Sequence, residues 1–215
     1  MTDGPVAPPP LQTPPPPAGG SSNLVTRAIN ILTKPSTEWR TIEAEPATTG
    51  GLIVYAAILS VLAVVFTLLG ILLQPYGSYI FQAPGTLIKI LIIAYVWALL
   101  PPIALGFIMD ALTPNLGGVK NSTNAMKLVI YSATGYFVAA IAIILNQWLW
   151  VVLGIGYSGF LMWLGTPILM KTPSDKSPIF VAAACGIWLV LISILIVIGQ
   201  RIMFSGMGYG GVVVM

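Results

Sequence analysis

The chain has 215 residues, of which 57% are hydrophobic and only 7% charged, with a net charge of +3 and a mean hydropathy of +0.93. So few charges could not cover a water-soluble domain of this size without large contiguous apolar patches, which makes lipid the expected solvent for most of it. The nine cations are spread over the whole length, which excludes the clustered basic face that nucleic acid needs, and the absence of histidine removes the commonest general base and metal ligand.

Residues 1–20 carry no Lys or Arg and no apolar core, and are dominated by Pro8–Pro10 and Pro14–Pro17. That composition excludes a secretory signal and predicts polyproline II or disorder. The arm reads as a flexible tether; the alternative is a ligand for an aromatic-groove module. Residues 21–49 form a distinct segment. Ser21, Ser22 and Asn23 can cap a helix, after which Leu24, Val25, Ala28, Ile29 and Leu32 recur at helical spacing. Thr26, Arg27, Asn30 and Lys34 fall mostly elsewhere on the wheel. The pattern predicts a short amphipathic helix lying on the membrane surface, its cations reaching towards anionic head groups. Pro35 ends it. Ser36 is placed to cap a second short helix through Trp39 and Ile42, closed by Pro46, and Trp39 suits the membrane interface because its ring is apolar and its N–H polar.

Residues 50–199 divide into five runs of membrane-spanning length. The first covers about Gly51 to Leu73, and Ala56, Ser60, Ala63, Thr67 and Gly70 make a small-residue seam down one side of it. An uncharged turn with Tyr76, Tyr79 and Phe81 leads to the second, about Thr86 to Leu112, where Pro101–Pro102 removes two amide donors and should kink the helix. Thr113 to Ala125 is a polar loop. The third run covers about Met126 to Leu145 and the fourth about Trp148 to Met170, divided only by Asn146–Gln147. Gly135 and Ala139 on the third, and Gly154, Gly156, Gly159 and Gly165 on the fourth, are candidate close-contact positions. Lys171 to Pro178 is polar, and the fifth run covers about Ile179 to Ile198. Residues 200–215 make a short glycine-rich tail. The fold expected is an all-α, polytopic membrane bundle.

Charge asymmetry orients it. Arg27, Lys34 and Arg40 precede span one, Lys120 and Lys127 lie between spans two and three, and Lys171 and Lys176 lie between four and five. Only Lys89 and Arg201 lie at the other ends. Seven cations against two place the N-terminus in the cytoplasm, with the tail outside.

The chemistry-bearing motifs are few. No Asp, Glu, Lys or Arg is expected near the bilayer midplane, where ion-coupled transporters and proton relays place theirs. Asp110, at the end of span two, fits capping or head-group contact better than proton transfer. Cys185 lies in an apolar run without an intrachain partner, which excludes a disulfide framework. There is no phosphate loop, zinc spacing or serine paired with a base, so no cofactor, metal or enzymatic role is expected. Discontinuous helices can bind a solute through backbone carbonyls, and Pro101–Pro102 with Tyr157 and Ser158 leaves a small transporter or channel subunit as the alternative.

Three separated stretches carry a family resemblance. Residues 27–40, RAINILTKPSTEWR, resemble the "iLtkPketW" motif of bacterial members of the Ypt-interacting-protein (Yip) domain family. Residues 124–134, NAMKLVIYSAT, are similar to that family's "A.k..aYs.tP" start of span three, with Gly135 in place of the proline. Gly156 through Gly165, ending in residues 169–176, LMKTPSDK, resemble its fourth span and "lmktP..Ka" loop. The resemblance spans about Leu24 to Gly199 and implies five spans, a cytoplasmic N-terminus and an exposed C-terminus. Eukaryotic relatives act in vesicle transport and bind Rab-type GTPases. Their Asp-Leu-Tyr-Gly-Pro element is absent here, where Asp110-Ala-Leu-Thr-Pro-Asn stands near its place, so that partner is not carried over. The resemblance implies an inner-membrane interaction or membrane-organising protein. Its lipid or protein contacts are expected from Leu24, Arg27, Ile29, Leu32, Lys34, Trp39, Asp110, Lys120 and Lys171, with self-association through the helix seams.

Overall fold

A computed structural model of the chain describes residues 23–73 and 84–204. The proline-rich arm, Ser21, Ser22, the aromatic turn at Tyr76, Tyr79 and Phe81, and the chain after Phe204 lie outside the described residues. Among the described residues, eight α-helices run in the order α1 (Leu24–Thr33), α2 (Pro35–Ala44), α3 (Thr49–Leu72), α4 (Pro84–Leu112), α5 (Ser122–Ser132), α6 (Thr134–Ala139), α7 (Gln147–Leu169) and α8 (Ser177–Phe204). Two 3-10 turns, Thr113–Leu116 and Ala140–Ile144, follow α4 and α6. There is no strand among the described residues. Among the described residues five stretches are long and apolar enough to cross a membrane, as the sequence predicts: α3, α4, the combined α5–α6 with its closing turn, α7 and α8. The protein is a multi-pass, all-helical membrane protein.

Local chemistry sets most boundaries. Asn23 caps α1 by accepting from Val25 N, Thr48 caps α3 by accepting from Gly51 N at 3.1 Å, and Asn146 caps α7 by accepting from Trp148 N at 2.7 Å. The start of α2 departs from expectation. Pro35 itself occupies the first turn, where its missing N–H is no loss, and Lys34 rather than Ser36 stands at the cap without a side-chain bond. The helix α4 passes through Pro101–Pro102 as one element. The third span starts at Ser122, is divided at Ala133, and tightens to 3-10 geometry over Ala140–Ile144. The last span continues through Phe204, beyond the boundary expected at 199, because no glycine or proline interrupts residues 200–204.

The third span is the centre of the bundle. Its most apolar stretch is 67% buried inside the protein, against 6% for the fifth. It packs on α3, α4 and α7, while α8 leans on α4 and α7 from outside. Leu52, Ala56, Ile130 and Phe137 form one core between α3 and the third span. The other core joins Leu105 and Met109 of α4, Leu161 and Leu169 of α7, and Phe180 of α8 to Ile31, Trp39 and Ile42 of the two short leading helices. Two loops are fastened together at the bundle end that carries α1 and α2. Val119 N donates to Met170 O at 2.8 Å, and Asn124 Nδ2 donates to Leu169 O at 3.0 Å. Gly117 turns the chain there at φ 80°, a conformation that favours glycine.

Candidate functional site

The polar chemistry of the described residues gathers where α1 and α2 meet the third span. The apolar arc of α1 does two jobs. Ala28 and Ile31 are buried against the bundle, with Leu24 and Leu32 half-buried, whereas Val25 and Ile29 remain 58% and 54% exposed. Arg27 shares the buried side, which corrects the expectation that it reaches to head groups. Its Nη1 donates to Glu38 Oε1 at 2.5 Å, its Nη2 pairs with Glu45 Oε2, and its guanidinium carbon lies 5.8 Å from the Tyr131 ring centroid. Glu38 and Glu45 reach one partner because they are seven residues apart, two helical turns, with Ile42 on the same side. Burial disfavours the guanidinium charge, but the Glu45 hydrogen bond and the charges of Glu45 and Glu38 outweigh it, so the pKa of Arg27 lies above its ordinary value. Arg27 therefore stays charged throughout the range in which a membrane protein is handled.

Lys127, on α5, completes the cluster. Its Nζ donates to Ile42 O at 2.8 Å and Glu45 O at 2.6 Å. These are carbonyls at the C-terminal end of α2, where a helix leaves acceptors unsatisfied and favours a cation. Two cations, Arg27 and Lys127, stand against two carboxylates, Glu38 and Glu45, so the buried cluster is neutral. Tyr131 extends it into the bundle through an edge contact with Tyr55, whose hydroxyl shares a 2.9 Å hydrogen bond with Thr134 Oγ1.

Trp39 belongs to this docking rather than to the membrane interface. It is fully buried, and a Cβ added at Gly165 of α7 would lie 2.7 Å from its ring and 2.7 Å from Leu128 Cδ1. The absence of a side chain at Gly165 is what lets the indole enter. Tyr157 adds a further tie, donating to Leu32 O at 2.5 Å. It is thus engaged with α1, whereas Ser158 lines one cavity together with Pro102. Lys171 pairs with Glu43 at the exposed fringe.

The remaining expected residues are dispersed. Lys34 and Lys120 are exposed. Asp110 is buried, with Oδ1 lacking a hydrogen-bond partner, so it is withdrawn from head groups. Ala56, Ser60 and Ala63 are buried within the chain's own packing, which leaves that seam unavailable for self-association. At Gly135 a Cβ would lie 3.2 Å from Ser158 N, a close backbone approach, and Ala139 is half-buried beside Gly154. Gly156 is corrected: it is exposed and a Cβ there would meet nothing within 4 Å. Gly159 makes only ordinary contact, 3.6 Å to Val181 Cγ1. Sequence reasoning missed Glu38, Glu45 and Tyr131. The seven-residue Glu38–Glu45 spacing around Ile42, following a cation on an apolar helix, was the signal available.

The Yip1 domain family model matches residues 29–198 of this chain. No curated protein and no solved structure matches it. The matched stretch covers the first four spans, the fifth as far as Ile198, and the leading helix pair from Ile29 onward, so the neutral cluster falls inside it except for Arg27.

Proposed function

The chain belongs to the Yip1 domain family, and from that premise we propose that it is a non-enzymatic inner-membrane protein that organises protein contacts at the cytoplasmic face. One observation carries the reading. A buried, charge-neutral cluster fixes α1 and α2 to the central span, while the outer side of the pair keeps Lys34 and Arg40 exposed. A surface held rigid before binding loses less freedom when a partner docks, which is the advantage of a fixed platform over a mobile tail. The exposed Val25 and Ile29 give the same platform an apolar edge for the lipid interface. Seven cations at this end of the bundle support the cytoplasmic orientation.

Two measurements test the proposal. A reporter active only outside the cytoplasm should be silent when inserted at Gly118 and active when fused after Arg201; the reverse pair refutes the orientation. A protein partner co-purifying with the full chain in mild detergent should be lost from the Lys34→Glu, Arg40→Glu variant at unchanged melting temperature. Retention of that partner, or recovery of no partner at all, defeats the platform reading.

A further inference from the structure

A cleft of about 560 Å³ lies beside the buried charge cluster, between the start of α1, the link from α2 to α3, and the first turns of α3. Its size falls within the roughly 300–1,000 Å³ of a pocket for one small ligand. The cleft straddles a boundary in polarity. Glu45 and Thr48 precede the apolar stretch of the first span, which begins at Thr49, whereas Leu52 and Val54 lie on its first turns. Val54 is 57% exposed, and with the half-buried Leu24 it makes an apolar wall. A molecule filling the cleft would have a polar end where the span enters the bilayer and an apolar end within it.

The two charged residues of the cleft are unequally presented. The Arg27 side chain is 4% exposed, and its two terminal nitrogens are taken up by Glu38 and Glu45. Glu45 is 22% exposed and gives only Oε2 to Arg27; its other carboxylate oxygen has no hydrogen-bond partner among the described residues. The charge that an occupant meets is therefore a carboxylate, and its complement is a cation that can donate a hydrogen bond. Thr48, exposed on the same cleft, accepts from Gly51 N at 3.1 Å and keeps its own O–H to donate. An anion carried beside the cation would meet that donor at the start of α3, the helix end that favours negative charge.

We propose that the cleft binds a zwitterionic phospholipid with a primary-amine head group, its ammonium on Glu45, its phosphate at Thr48 and its acyl chains along Leu24 and Val54. A choline head group has no N–H for the carboxylate, and a glycerol head group brings no cation to it. The site uses neither Lys34 nor Arg40 and is independent of the protein-docking proposal.

The test uses the full chain in mild detergent with a trace of phosphatidylethanolamine that carries a photoreactive group at the start of one acyl chain. Cross-links should fall on the peptides holding Leu24 and Val54. Unlabelled phosphatidylethanolamine should displace the probe on the order of tenfold more effectively than phosphatidylcholine or phosphatidylglycerol with the same chains, because only it makes the charge-assisted bond to Glu45. Glu45→Gln keeps the shape of the side chain and removes its charge, and should bring the three lipids within about twofold of one another. Val54→Trp obstructs the apolar wall, leaves the ion pairs in place, and should lower cross-linking by about fivefold. The inference is overturned if the three lipids displace the probe equally from the native chain, or if Glu45→Gln keeps the native preference. Should Glu45→Gln fail to fold, the order of the lipids on the native chain and the loss in Val54→Trp decide, and undiminished cross-linking in Val54→Trp overturns the site.

Discussion

The third and fifth spans are both long apolar helices, yet one is the hub of the bundle and the other is mostly exposed on its outside. In water such helices would both be driven inward. In lipid the solvent is as apolar as the side chains, so apolarity carries no information about burial, and packing depends on small residues and hydrogen bonds. The third span has both. Gly135 allows the backbone of α7 to approach, Thr134 bonds to Tyr55, and Lys127 bonds to the end of α2. The exposed side of α8 presents Leu189, Val190, Ile194 and Val197, and its Ser193 hydroxyl returns to its own helix.

A matched pair of glycine substitutions tests this contrast with the largest effect. Gly165→Leu would drive a side chain into the space held by Trp39 and Leu128, and should destabilise the protein by about 3 kcal/mol or more. Gly186→Leu on α8, where a Cβ meets nothing within 4 Å, should change stability by less than about 0.5 kcal/mol. Melting temperatures in detergent measure both. Equal losses would show that α8 is covered as closely as the centre, and the contrast would fail.

The charge cluster gives the next largest effect. Arg27→Met leaves the nearly buried Glu38 without its cation and should cost about 3 kcal/mol, since an unpaired buried charge is worse than none. Adding Glu38→Leu should restore most of that stability, leaving Glu45 beside Lys127. A double variant no more stable than Arg27→Met would mean that the loss came from packing rather than from the stranded carboxylate.

The five spans were legible in the sequence because lipid imposes a length and a composition, and Asn23 announced the start of the leading helix through its side-chain chemistry. The fate of the charges was not. A surface helix with Arg27 on its flank reads the same whether the cation meets phosphate or carboxylate, and only the fold brings Lys127 to a helix end 85 residues away. Trp39 illustrates the same limit. An indole before a first span ordinarily belongs to the interface, and its burial depends on a gap at Gly165, on a distant helix.

The smallest effect lies at the fringe of the docked pair. Lys171 has φ 53°, a left-handed conformation disfavoured for a residue with a Cβ, and its ammonium pairs with Glu43 at an exposed site. Screening by solvent limits that pair to roughly 0.5 kcal/mol or less, whereas the backbone conformation disfavours any non-glycine residue by about 1 kcal/mol. Lys171→Gly and Lys171→Ala lose the same ion pair, so the difference between them isolates the backbone. Lys171→Gly should be the more stable of the two by about 1 kcal/mol, and should stay within about 0.5 kcal/mol of the native chain because relief of strain offsets the lost pair. If the two variants melt together well below the native protein, the Glu43 contact is a principal fastening of α2. The buried cluster at Arg27 and Lys127 would then not be what holds the leading helices in place.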